Sequence, residues 1–207
     1  MALSTYAELK TSVADWLNRS DLTAAIADFV TLAESQIERV LRNRNMLTRG
    51  TGNITTEYTT LPTDFLDGLT LKLTGTNPIT PLQYETLNNL DQLQNTTYLS
   101  AGKPLFYAIV GSTFRVLPTP DTTYAYELDY YAKLAKLSAT NTTNWLLTQA
   151  PDIYLYGSLL QAAPYLQNDE RIPVWVALYT KGIDDLRLAD NRSTQAGTML
   201  ARARTLG

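Results

Sequence analysis

The chain has 207 residues, 44% of them hydrophobic and 18% charged, with a formal net charge of −3. That length suffices for one full core, or a core with a smaller satellite lobe, and that charge gives no general attraction to nucleic acid. The absence of Cys and His excludes disulfides, thiolate metal sites and a Cys nucleophile, and removes the commonest general base and metal ligand. No apolar run reaches the roughly 18 residues that a membrane span needs. The first 17 residues lack the apolar core of a signal peptide, so synthesis and retention in the cytoplasm are expected.

Thr5-Tyr6-Ala7-Glu8 fits a capping box, with Thr5 as N-cap and Glu8 three residues on. It predicts a helix over about 5–17, with Leu9, Val13, Trp16 and Leu17 inward. A longer helix is expected over 22–43, with Ile26, Phe29, Val30, Ala33, Ile37, Val40 and Leu41 as its stripe. Its end is basic: Arg39, Arg42 and Arg44, with Arg49 just beyond. Cations there complement the negative end of the helix dipole; an acidic partner surface or a DNA backbone is the other reading.

From Thr51 to Gly102 the only basic residue is Lys72, and Thr is abundant. Ile54, Tyr58 and Leu61 suggest a strand, which the turn Leu61-Pro62-Thr63-Asp64-Phe65 breaks. Leu69, Leu71 and Leu73 alternate as in a half-buried strand. Ile79 to Leu82 forms another short strand, and Tyr84, Leu87, Leu90 and Leu93 a short amphipathic helix. Phe106–Val110 and Thr113–Leu117 flank Gly111-Ser112 as a tight hairpin. Tyr124, Tyr126, Leu128 and Tyr130 share one face of a further strand, which leaves Asp129 exposed on the other. The middle of the chain, about 51–135, is therefore expected to be an antiparallel β lobe between helical pairs.

The stretch Asn144–Asp190 reads as two antiparallel helices, about 152–166 and 173–189. In the first, Ile153, Tyr156, Leu160 and Ala163 share a face, with Leu155, Leu159 and Leu166 beside it. Pro151 suits a first turn, and Pro164 should kink or stop the helix. The second shows Val174, Leu178, Ile183 and Leu186 near helical spacing, with Trp175 and Tyr179 as an i, i+4 pair. Residues 1–190 thus form the body. Residues 191–207 contain Arg192, Arg202 and Arg204 and no acid. Met199, Leu200 and Leu206 are too few for a core, so this segment is expected to be a flexible arm. The fold class is α+β: mainly a helical bundle with an inserted small antiparallel β lobe and an extended C-terminal arm.

No catalytic constellation emerges. Asp184 and Asp185 are adjacent and diverge on a helix. No EF-hand spacing, GxGxxG or P-loop occurs. The thirteen Tyr would need a basic groove to serve as a stacking platform for single strands, and the middle of the chain is acidic. No enzymatic activity, metal or cofactor is expected. The sequence reads as a structural module.

An ordered series of residues resembles the head–tail adaptor (connector, head-completion) proteins of tailed bacteriophages. It comprises Thr5–Lys10 with Trp16-Leu17-Asn18-Arg19 and the helix Phe29–Arg44. Leu61-Pro62-Thr63-Asp64-Phe65 follows, then Gly102-Lys103-Pro104 leading into Phe106–Gly111 and Phe114-Arg115-Val116. Leu128–Tyr131, Asn144–Leu147 and Pro151–Pro164 complete it. The resemblance covers about residues 5–190, and no single motif in it is catalytic. It implies a virion protein that forms a ring, usually twelve-fold, beneath the portal protein. Such a ring connects the DNA-filled head to tail or nozzle proteins and extends the DNA channel without sequence-specific binding. It also implies a C-terminal arm that reaches the portal, here Arg192, Met199, Leu200, Arg202, Arg204 and Leu206. Arg39, Arg42, Arg44 and Arg49 would then face a neighbouring subunit or partner. Another neck or tail-completion protein, a DNA-binding module and a glycan hydrolase with convergent carboxylates are the alternatives.

Overall fold

The computed structural model describes residues 3–19, 21–97, 100–166 and 169–195. The chain divides into two compact units. One comprises residues 1–45 and 134–207, the other residues 46–133.

The first unit is helical. Its α1 spans Tyr6–Leu17, capped as expected: Glu8 N–H donates to the Thr5 hydroxyl, and the Glu8 carboxylate accepts from Thr5 N–H. Next, α2 spans Thr23–Val40, three residues short of the expected end at 43. Leu41 turns to extended backbone there and buries its side chain completely. After the second unit come α4 (Trp145–Gln149), α5 (Pro151–Gln161) and α6 (Ile172–Gln195). The expected helix to 166 stops at Gln161, and Pro164 lies in a 3₁₀ turn over Ala163–Tyr165.

Of these helices α5 is the central one, packed against α1, α2, α4 and α6. Ile153, Tyr154, Leu155, Gly157, Ser158 and Leu159 are all buried, whereas Leu160 and Tyr156 are only half-buried. A helix enclosed on several sides has no single apolar stripe, so the face expected from spacing was too narrow. In α6 the correction is larger. Trp175, Tyr179 and Ile183 are buried, but Val174 is 57% and Leu178 36% exposed. The crossing with α5 is close: a Cβ at Gly182 would stand 2.9 Å from Ile153 Cγ1.

The second unit is a two-sheet sandwich rather than a small lobe. Its first strand begins at Leu47, not Thr51, and the order is β1 (Leu47–Ile54), β2 (Tyr58–Thr60), β3 (Phe65–Leu73), β4 (Thr80–Pro81) and β5 (Gln83–Tyr84). Then follow α3 (Leu87–Thr97), β6 (Phe106–Val110), β7 (Thr113–Leu117) and β8 (Tyr124–Ala132). The strand orders are β1-β8-β3-β4 and β2-β7-β6-β5. One pair, β5 with β6, is parallel, a departure from the all-antiparallel expectation. The β6–β7 hairpin turns at Gly111, whose φ of 59° favours glycine.

Both sheets contribute to one core that includes Ile54, Leu71, Leu73, Tyr107, Phe114, Val116 and the β8 row Tyr126, Leu128 and Tyr130. That row is the alternation read from the sequence. Leu69 departs from it. Register shifts between Phe65 and Asp67 and between Gly68 and Thr70 break the alternation of β3, and Leu69 is 47% exposed. On the second sheet, Leu90 of α3 meets Ala108 and Leu117, with Leu93 and Phe106 against them.

Candidate functional site

Four polar constellations stand out, each within one unit. The first is the end of α2. Arg42 donates to the carbonyls of Glu38 (2.8 Å) and Leu41 (2.7 Å), and Arg187 of α6 donates to that of Val40 (2.6 Å). Arg44 N–H donates to the Asp190 carboxylate at 3.1 Å. The carbonyls that an α-helix leaves unpaired at its C-terminus are thus met by guanidinium groups, which also suit the dipole. Arg39, Arg42 and Arg44 belong to this corner of the helical unit, with Arg39 and Arg44 exposed. Arg49 lies on β1 in the second unit.

The second constellation is the outer face of the first sheet. Arg49 and Lys72 both pair with Glu127, and Lys72 also reaches Asp129 at 3.3 Å. Hydrogen bonds from Lys72 and then Arg49 hold the Glu127 carboxyl below the usual carboxylate range. Asp129, expected to be exposed, is half-buried here and also accepts from the Thr70 hydroxyl at 2.9 Å. Leu47, Thr48, Arg49, Leu69, Thr70 and Asp129 line a shallow groove on this unit.

The third is Arg115 of β7. Its guanidinium donates to Glu57 in the β1–β2 turn and to Asp91 and Gln94 of α3. Its side chain is only 9% exposed, against 27% for Glu57 and 53% for Asp91. Such a fork ties the turn and α3 to the sheet through one buried cation. Replacing Arg115 by Ala is expected to cost about 2 kcal/mol, less than for a fully buried pair because the acids can rehydrate. The urea midpoint checks this; an unchanged midpoint would show that α3 docks through apolar contacts alone.

The fourth is a buried network around Glu34, which sequence reading missed. Glu34 is 1% exposed and Tyr154 0%. Glu34 Oε1 accepts from Leu137 N–H at 2.7 Å and from the Tyr154 hydroxyl at 3.1 Å. Asn144 Nδ2 donates to the Tyr154 oxygen (2.6 Å) and the Ala135 carbonyl (2.8 Å), while its Oδ1 caps α4 by accepting from Leu147 N–H (2.9 Å). Burial pushes the Glu34 carboxyl above its ordinary range, and also raises the Tyr154 hydroxyl. The network fastens the segment returning from the second unit onto α2 and α5. Only its spacing, one residue after Ala33 on the buried stripe, could have marked Glu34.

Of the arm residues, Arg192 lies in α6. The body therefore does not end at 190: the helix runs on through Gln195. Met199, Leu200, Arg202, Arg204 and Leu206 lie outside the described residues. Among the described residues no group of three or more acidic side chains is placed to hold a metal, and no helix is long and apolar enough to cross a membrane.

These constellations staple elements together and converge on no reactive centre; they define an α+β module that presents surfaces. A family model described as SU10 adaptor protein matches residues 4–203. The chain belongs to that family of phage adaptor proteins, structural components of the virion, and such a structural role implies a non-enzymatic one. No curated protein matches the chain.

Proposed function

We propose that the protein forms a ring beneath the portal, joins the DNA-filled head to the tail and extends the DNA channel. The observation that carries this reading is the family match over residues 4–203, nearly the whole chain. The partners are then the portal protein, tail or nozzle proteins, and further copies of the chain in a ring, taken as a dodecamer. Packaged DNA passes through without sequence-specific binding.

Arg42 is occupied with the carbonyls that end α2, so it shapes the corner from which Arg39 and Arg44 can reach a neighbour. Arg49, on β1 of the second unit, likewise faces a neighbouring subunit or partner. The portal-binding arm comprises Arg192, Met199, Leu200, Arg202, Arg204 and Leu206. Short contacts repeated around a ring add up to firm attachment.

A reconstruction of the portal vertex of purified particles tests this. It should show a closed ring of this chain between portal and tail. A position elsewhere in the particle, or a single copy at the vertex, would overturn it. Deleting residues 196–207 should leave melting of the isolated protein unchanged and abolish its attachment to portal-bearing heads.

A further inference from the structure

Among the described residues the sandwich unit has four sheet edges, and three of them are blunted. β4 is two residues long and contains Pro81, β5 is two residues long, and β2 is three. Short strands and proline are how sheet edges avoid pairing with foreign chains. β1 has neither protection. It runs for eight residues, Leu47–Ile54, in unbroken register with β8, without bulge, Pro or Lys. Among the described residues no strand pairs with its other side. Leu47 is 46% exposed, and Thr48, Arg49, Thr51 and Asn53 are exposed as well.

We propose that the outer edge of β1 receives an extended, uncharged segment of another polypeptide, added as a further strand. The unpaired N–H and C=O groups along the edge supply main-chain hydrogen bonds to any extended chain, and side chains then select it. On the outer face the cations Arg49 and Lys72 are already matched by Glu127 and Asp129, so the face does not call for a charged segment. Leu47 and Leu69 flank the groove there, and the residue of the added strand that stands beside Leu47 is therefore apolar. On the inner face the Tyr126 ring lies over Gly52, close enough that a Cβ there would meet it at 2.9 Å. Aromatic carbon already fills that side, which suits small or β-branched neighbours.

A second copy of this chain is a poor occupant. Among the described residues none of its other edges is long enough to match eight residues. Pairing β1 with β1 would create a two-fold contact, whereas ring neighbours meet head to tail. That the added segment belongs to an adjoining virion protein rests on the proposed function; the open edge itself does not.

The test compares amide hydrogen exchange of residues 47–54 in the isolated protein and in purified particles. In the isolated protein the alternate amides that face away from β8 should exchange freely. In particles they should slow by roughly 100-fold or more, as for a paired strand. An Asn53→Cys variant, the only Cys in the chain, carries a photo-cross-linker at an exposed position and identifies the neighbour within the particle by mass spectrometry. Attachment to a charge-poor segment of a different protein supports the proposal. Protection already present in the isolated chain, unprotected amides in particles, or cross-links only between copies of this chain would overturn it. Absence of the chain from purified particles would overturn the functional reading and this partner together.

Discussion

Leu159→Asp will leave the helical unit unfolded. Leu159 is 0% exposed on the one helix that packs against α1, α2, α4 and α6. An aspartate there would be taken out of water entirely, and burying an uncompensated carboxylate costs several kcal/mol at least. It also forfeits the leucine's own burial, worth about 2–3 kcal/mol. Together these approach the whole stability of an ordinary domain, roughly 5–15 kcal/mol. Far-UV circular dichroism and soluble yield read the result. Leu159→Ala is the graded control, expected to stay folded while losing about 3 kcal/mol to the cavity. A soluble Asp variant with the wild-type melting transition would mean that α5 is not the centre of the unit.

The second large effect concerns Glu34 and has a definite pH dependence. Glu34→Ala leaves Leu137 N–H and the Tyr154 hydroxyl without their acceptor and opens a cavity, a loss of about 3 kcal/mol. Glu34→Gln keeps an oxygen for both donors. Burial raises the folded-state pKa of this carboxyl, so the folded protein holds its proton more tightly than the unfolded chain. Stability from this group is fully present below the ordinary carboxylate range. It is lost as pH rises through the raised folded value. Between pH 4 and 8 the Gln variant should therefore decline less with rising pH than the wild type, and should be at least as stable at pH 7. Parallel pH profiles for the two proteins would show that the Glu34 carboxyl does not titrate differently on folding.

The residues that were readable in the sequence are those whose pattern has one interpretation. Thr5 and Glu8 make a capping box at a spacing with one geometric outcome. Tyr124, Tyr126, Leu128 and Tyr130 alternate with Ala125, Glu127 and Asp129, so one face of the strand is apolar and the other largely polar. The hairpin at Gly111 joins two apolar runs with nothing else to do. Legibility failed where two faces compete. In α6, Val174 and Leu178 stand four residues apart just as Trp175, Tyr179 and Ile183 do, and spacing alone does not say which set meets α5. In α5 nearly every position is buried, so periodicity carries little signal. Leu69 looked inward because a bulge is invisible to strict alternation. Glu34 carried no signal in the sequence because its partners, Leu137 and Tyr154, come from more than a hundred residues later in the chain. The α2-end arginines were readable as charge complements, but not that Arg42 and Arg187 would bond carbonyls directly.

The division of the chain bears on how it folds as it is made. The first helices and the last three share one core, yet residues 46–133 are synthesised between them. At the usual pace of about 5–20 residues per second, α1 and α2 wait several seconds on the ribosome with Ile26, Phe29, Val30 and Ile37 uncovered. The sandwich shortens the search that follows. Its first strand pairs with its last, Leu47 opposite Tyr131, so once it has formed it holds its own entry and exit near each other. The closure entropy of a long excursion is thereby already met when α5 appears. Nascent-chain lengths that stop before Tyr154 are accordingly the ones most in need of a chaperone.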